Sequence, residues 1–316
     1  MEYYNLGQSG IKVSELCFGV LPMGPLQANI PLDQGASIIL NALNSGINFL
    51  DTAQVYQTYP YIKEALSQFE GNVVIASKSM ASNYIEMREA AEEACREMNR
   101  EAIDLFHLHA PREKKDVFKK REGALNCLVD LKKKGLIRSI GISTHAIEVV
   151  NKASEISEID VVFPIINQAG LGIIGGTTEE MIQAINRVHH AGKGLYAMKA
   201  LAGGYFISRI EEALNFVRNL ENIHVVAVGM VNQRELDMNL KIFNNEKIDK
   251  STLEQQAIQR KKLFVSRFCQ GCGTCVEACP NHALSIKNGK AEVNRDLCIT
   301  CGYCVPHCPL FALRII

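Results

Sequence analysis

The feature that most constrains this chain is a pattern of cysteines that occurs twice near its end. Cys269, Cys272, Cys275 and Cys279 follow the spacing Cys-x-x-Cys-x-x-Cys-x-x-x-Cys-Pro, and Cys298, Cys301, Cys304 and Cys308 repeat it 29 positions later. Flanking residues recur at the same offset: Pro280 as Pro309, Ala283 as Ala312, Leu284 as Leu313 and Ile286 as Ile315. Thiolates three residues apart converge on one metal centre, and a fourth cysteine ahead of a proline leaves that turn to serve the other centre. Two other readings compete. Tetrahedral zinc normally shows two separated Cys-x-x-Cys pairs rather than three ligands in tandem. Disulfides suit neither the odd total of 11 cysteines nor an opening sequence without the features of a signal peptide.

By the crossover rule, Cys269, Cys272, Cys275 and Cys308 are expected to hold one 4Fe-4S cluster, and Cys298, Cys301, Cys304 and Cys279 the second, as in bacterial two-cluster ferredoxins. Exposed clusters of this kind suffer in oxygen, so an anaerobic or low-oxygen host is expected. The remaining cysteines, Cys17, Cys95 and Cys127, stand in apolar, periodic surroundings and read as core.

Lys plus Arg and Asp plus Glu both total 34, so no net field draws the 316-residue chain to nucleic acid or to a membrane surface. No apolar run approaches the roughly 18 residues of a membrane span. With Met1-Glu2-Tyr3-Tyr4-Asn5 at the start, the expectation is a cytoplasmic protein.

Ahead of the cysteines, short β-rich apolar runs alternate with longer amphipathic stretches, the signature of βα units around a parallel sheet. Strands are expected at 15–19, 48–52, 73–78, 103–109, 139–143, 161–166, 194–198 and 224–228, with helices such as 84–98, 124–134, 179–190 and 234–243 between and after them. Eight such units close into a (β/α)8 TIM barrel. Residues 3–13, with their Gly-Gln-Ser-Gly turn, are expected to form a hairpin plugging its bottom. The pattern stops near Asn245. The expected organisation is a barrel over 1–245, a linker and helix over 246–263 opening on the capping box Ser251-Thr252-Leu253-Glu254, and a small α+β ferredoxin-like iron-sulfur domain over 264–316. The runs Lys114-Lys115, Lys119–Arg121 and Lys132–Lys134 read as solvated surface of the outer ring.

Barrel enzymes carry their chemistry at the carboxyl ends of the strands. Here Asp51, with Tyr56 just beyond it, Lys78 and His109 come from three consecutive strand ends. An ammonium beside a phenol lowers its pKa, and a carboxylate beside the ammonium keeps it charged. A phenol so tuned can exchange a proton at neutral pH. An interior ion-pair network would use the same residues. His107, two residues before His109 on the same strand face, reads as a hydrogen-bonded core histidine.

These residues also carry a resemblance. Tyr4-Asn5-Leu6-Gly7 with Gly10-Ile11-Lys12-Val13-Ser14, Asp51-Thr52-Ala53-Gln54-Val55-Tyr56, Lys78, Ile103-Asp104-Leu105 leading to His109-Ala110-Pro111, and Gly141-Ile142-Ser143-Thr144 are similar to the motifs of aldo-keto reductases. The resemblance implies reversible carbonyl reduction with hydride from NADP or NAD, Tyr56 acting as acid, Lys78 and Asp51 tuning it and His109 orienting the substrate. It also implies cofactor contacts from Ser143, Thr144, Asn167, Met198, Gly203 and Gly229. There the chain departs from the family: Thr144 replaces an asparagine, Phe163 a glutamine, Met198 an aromatic residue, and Gly229, Met230 and Glu235 stand where NADPH-preferring members have basic and hydroxyl residues for the 2'-phosphate.

The function expected is interconversion of a small carbonyl and alcohol, with two 4Fe-4S clusters for electron transfer. A nicotinamide gives two electrons as a hydride while a cluster takes one, so two alternatives stand beside it. One is a flavin, or a redox partner protein, coupling the barrel to the clusters. The other is a non-catalytic electron carrier whose barrel is a docking platform.

Overall fold

The computed structural model describes residues 1–248, 262–298, 300 and 302–315. The expected linker helix and its capping box, and the cluster ligand Cys301, lie outside the described residues.

Strands β1 (Tyr3–Asn5) and β2 (Lys12–Ser14) form an antiparallel hairpin. Its Leu6, Ile11 and Val13 pack into the barrel interior with Cys17, Phe49, Leu105 and Val161, as a plug should. Next come β3 (Leu16–Gly19), β4 (Phe49–Asp51), β5 (Val74–Ser79), β6 (Ile103–His109), β7 (Ile137–Thr144), β8 (Val161–Pro164), β9 (Gly194–Leu195) and β10 (Val226–Gly229). They are parallel and pair in chain order, with β10 returning to β3. The two edges meet where Ala197 bridges Val226, its N–H donating to Val225 O and its carbonyl accepting from Ala227. The eight strands therefore make the expected (β/α)8 barrel.

The strands run near the expected positions but differ at their ends for physical reasons. Strand β8 stops at Pro164, which has no N–H for the ladder. Strand β9 is only two residues long, because the chain beyond it bridges β8 at Met198 and then turns at Lys199 with φ of 64°. Helices α1 (Leu32–Asn44), α2 (Tyr59–Leu66), α3 (Tyr84–Met98), α4 (Val117–Lys120), α5 (Glu122–Lys133), α6 (Ile147–Ala153), α7 (Thr178–His190), α8 (Ile210–Arg218) and α9 (Gln233–Phe243) ring the sheet. Asn83, Thr177 and Asn232 cap α3, α7 and α9 by accepting the N–H three residues on. The apolar stripes of the helices and the outward faces of the strands form one continuous core that includes Cys95 and Cys127. Among the described residues no helix is long and apolar enough to cross a membrane.

The C-terminal unit contains two small antiparallel pairs, β11 (Leu263–Val265) with β14 (Leu313–Ile315), and β12 (Leu284–Lys287) with β13 (Lys290–Val293). It does not hang free. Phe311, 4% exposed, packs with Ala202, Phe206 and Ala213 of the barrel. Arg112 donates to Pro309 O at 2.9 Å. Gly204, at φ of 93°, lies so close that an added Cβ would stand 2.4 Å from Ile315 O, which only glycine permits. This seam is structural, so Phe311→Ala should cost about 3–5 kcal/mol and lower the urea midpoint of the barrel itself. A barrel midpoint equal to that of the unaltered protein would show that the unit is merely tethered.

Candidate active site

Lys78 sits on β5 with its ammonium inside the barrel mouth, 1% exposed. Its Nζ donates to both Asp51 oxygens and to Thr52 O, each at 2.7 Å. Burial acts to discharge this lysine, but Asp51 and Tyr56 outweigh it and raise its pKa, so the ammonium persists. Asp51 accepts a further bond from Tyr196 Oη at 3.0 Å, and Tyr196 Oη lies 2.7 Å from His107 Nε2. His107 is thus the buried hydrogen-bonded histidine expected of it. Tyr196, the phenol that joins it to the ion pair, carries no sequence signal beyond an aromatic residue in a short apolar strand.

Tyr56 lies in the short helical turn Gln54–Tyr56 after β4, with its ring 5.1 Å from Lys78 Nζ and edge-on to His109 at 5.9 Å. All four expected residues therefore converge. The expected direction of tuning needs correction: burial raises the Tyr56 pKa and outweighs the lowering by Lys78 and Arg314. Lys78 spends its charge on a bidentate contact with Asp51, so the phenol stays protonated, as a proton donor must. His109 is held far below the ordinary histidine value, first by burial and then by Lys78, His145, Arg121 and Lys199. At neutral pH it is an uncharged imidazole.

Arg121 also departs from expectation. Rather than solvated, it is 5% exposed and donates to the carbonyls of Ser79, Ala81 and His109. It thereby ties the ends of β5 and β6, which carry Lys78 and His109, to the start of α5.

Asp51 and Tyr56 open onto a cavity of about 400 Å³, within the range of small-molecule sites. Of the residues expected at a nicotinamide, Met198, Gly203 and Gly229 line it. Asn167 is instead engaged with its own loop, bonded to Leu171 O, Ala169 N and Leu171 N. Thr144 Oγ1 accepts from Ala146 N. Ser143 Oγ is buried without a partner among the described residues, a polar atom suited to an amide. The mostly apolar wall fits a nicotinamide, and Ser143, which is not part of that wall, leaves it fewer polar contacts than expected. Lys199 and, from the C-terminal unit, Arg314 and Ile315 complete the wall; the sequence reading assigned none of them to a site.

In the C-terminal unit seven of the eight repeat cysteines lie in the described residues. Burial raises the Cys275 pKa, and the charges of Cys308, Cys269 and Cys272 raise it further. Cys279 lines one small cavity with Cys298 and Cys304. Backbone N–H groups of Ala291, Ala283 and Ala312 donate to the sulfurs of Cys269, Cys279 and Cys308 at 3.2–3.3 Å, the contacts that tune cluster potentials. Among the described residues no three His, Cys, Asp or Glu side chains are grouped closely enough to hold a single metal ion.

Comparison with known proteins agrees with this geometry. Residues 15–259 match the aldo/keto reductase family. The chain is an aldo-keto reductase family member. Residues 268–313 match a 4Fe-4S dicluster domain. Relatives include an uncharacterized oxidoreductase of Bacillus subtilis, YqkF, 24% identical over 251 residues, covering 71% of this chain and 78% of the relative. The methylglyoxal reductase DkgA of Escherichia coli is 24% identical over 173 residues, 52% of this chain and 62% of the relative. The chain spans about half the length of several other curated relatives it matches. The holo aldo-keto reductase AKR11C1 of Bacillus halodurans shares the fold, with a TM-score of 0.66 at 19% identity over 81% of this chain and 96% of that one.

Two expectations follow for this family member. If Cys308 and Cys272 serve the same cube, the double variant Cys308→Ala/Cys272→Ala should keep about four of the eight irons, whereas Cys308→Ala/Cys304→Ala should keep almost none. The reverse pattern in iron analysis would exclude the crossover. The second concerns acid. Burial, then Lys199, Arg112 and Arg314, press the His145 pKa down to about 3. An unfolded histidine titrates near about 6.5, so in acid the unfolded chain takes up a proton that the folded one refuses. Stability present above pH about 6.5 is then lost as pH falls toward about 3. His145→Gln should flatten this slope in urea titrations followed by circular dichroism; equal slopes would refute the assignment.

Proposed function

We propose that this aldo-keto reductase interconverts a small carbonyl compound and its alcohol at the Tyr56 site, and that the eight repeat cysteines hold two 4Fe-4S clusters that exchange electrons with a redox partner protein. The observation that carries the catalytic reading is a protonated phenol on the cavity wall with a persistent ammonium and a neutral imidazole beside its ring. A reduced nicotinamide, NADP or NAD, held by Met198, Gly203, Gly229 and Ser143, would supply the hydride. In this reading Tyr56 Oη gives its proton to the carbonyl oxygen as the carbon takes the hydride, so both electrons and the proton are accounted for. Lys78, anchored by Asp51, stabilises the phenolate that is left, and Arg314 adds to that field. His109 orients the carbonyl oxygen by hydrogen bonding while uncharged, so it does not compete as the acid. The buried surroundings keep these charges strong by excluding water. A reducing cytoplasm is the compartment in which such thiolates persist.

The test is turnover of a panel of small aldehydes with NADH and NADPH by anaerobically purified protein. Tyr56→Phe should lower kcat/KM on the order of 100-fold or more, with circular dichroism and iron content unchanged. Lys78→Met should act similarly, with an added stability loss of about 3–5 kcal/mol because it strands the buried Asp51. Near-normal turnover in Tyr56→Phe would reduce the four residues to a structural network.

A further inference from the structure

Beyond Tyr56 the cavity wall is shared between the two units: Lys199 comes from the barrel and Arg314 from β14 of the cluster unit. Among the described residues neither cation forms an ion pair with a carboxylate, although Asp51 acts on Lys199 through space. Asp51 is clamped by Lys78 at 2.7 Å, and Glu235 accepts from Val231 N at 2.8 Å. Arg314 Nε is buried and has no hydrogen-bond partner among the described residues. The contact recorded for Lys199 Nζ among the described residues is the Phe311 ring, 5.7 Å away. His145, packed edge-on to the same Phe311, leaves its buried Nδ1 unpartnered as well.

Placing two cations around one low-dielectric cavity is unfavourable unless an anion lies between them. Lys199 is held there in a left-handed backbone conformation, φ 64°, that a long side chain seldom adopts. Strain of this kind persists where the surroundings impose it and tends to mark a ligand clamp. A guanidinium presents a planar fork that matches a carboxylate or a phosphate, and an ammonium adds a point charge.

We propose that Lys199 and Arg314 form an anion subsite that takes a carboxylate or phosphate group of the molecule bound beside Tyr56, so that the cluster unit contributes directly to ligand selection. This rests on reading Tyr56 as the reaction centre. A carboxylate would come from an oxo-acid substrate, a phosphate from the diphosphate of the nicotinamide cofactor. Burial, then Arg314 and Lys78, hold the Lys199 pKa well below the ordinary lysine value. An anion reverses that, so binding should take up a proton.

The test is calorimetric titration of the full-length, cluster-loaded protein with 2-oxobutyrate, with its uncharged counterpart 2-butanone, and with inorganic pyrophosphate. A charged probe should bind at least about 10-fold more tightly than 2-butanone, and Arg314→Gln and Lys199→Gln should each weaken it about 10-fold or more. Arg314→Lys, which keeps the charge, should restore most of the affinity, with the brown cluster absorption of all variants unchanged. Loss confined to 2-oxobutyrate assigns the subsite to a substrate carboxylate, and loss confined to pyrophosphate assigns it to the cofactor. If neither charged probe outbinds 2-butanone, or if both bind the Gln variants as tightly as the unaltered protein, the proposal is overturned. Because binding is read without turnover, Tyr56→Phe should leave these affinities in place. Affinity kept alongside undiminished turnover in that variant would sink the catalytic reading and leave the anion subsite standing.

Discussion

The placement of strand β14 against the barrel mouth is the constraint on which the rest of this molecule depends. Three consecutive residues do different work there. Leu313 enters the core beneath the cluster cysteines, Arg314 turns into the barrel cavity, and Ile315 belongs to that core while also lining the cavity. This is the period-two alternation of any strand, applied where one face of Leu313–Arg314 meets the cysteine core and the other the barrel cavity. A shift of one residue in the pairing of β14 with β11 would put an arginine among the cluster cysteines and take it out of the cavity. The register of a three-residue strand therefore links the two halves of the protein.

At the centre of the barrel the organising interaction is the Asp51–Lys78 pair. Buried ion pairs recover their desolvation only when nearly every lone pair and proton finds a partner. That condition is met here through Thr52 O, Tyr196 and His107. The pair also holds a cation 5.1 Å from the Tyr56 ring. Arg121 supports the same arrangement from outside by gathering carbonyls at the ends of β5 and β6. Chemistry at a barrel mouth thus draws on residues that never face the cavity.

Much of this was legible in the sequence because it is periodic. The eight βα units, the cysteine repeat and the strand-end positions of Asp51, Lys78 and His109 are written at fixed spacings, and the fold places them accordingly. What was not legible depends on contacts between residues far apart in the chain. Arg121 looked like one more charge in a basic run, because nothing local shows that three carbonyls surround it. The Tyr56 pKa was expected to fall because an ammonium is its neighbour; the depth of burial, which reverses that, is a property of the closed barrel. Asn167 matched a family position, yet its side chain bonds within its own loop, to Ala169 and Leu171. Lys199 and Arg314 are 115 residues apart and belong to separate repeating patterns, so no periodicity could pair them.

Part of the backbone strain in the described residues lies at this same seam. Lys199, Ala202 and Phe311 all adopt positive φ, at 64°, 47° and 49°, and Gly203 and Gly204 between them do so at 67° and 93°. For the three non-glycine residues such conformations cost of order 1–3 kcal/mol each. They persist because the seam holds them: Phe311 fills the space between Ala202, Phe206 and Ala213, and the glycines let β14 approach. A barrel without its cluster unit would keep the residues of the loop after β9 but lose the packing that holds them in place. Since that loop supplies Met198, Lys199 and Gly203 to the cavity, the shape of the ligand site and the docking of the cluster unit are one cooperative arrangement. The iron-sulfur unit is, in this sense, the last wall of the barrel's active site.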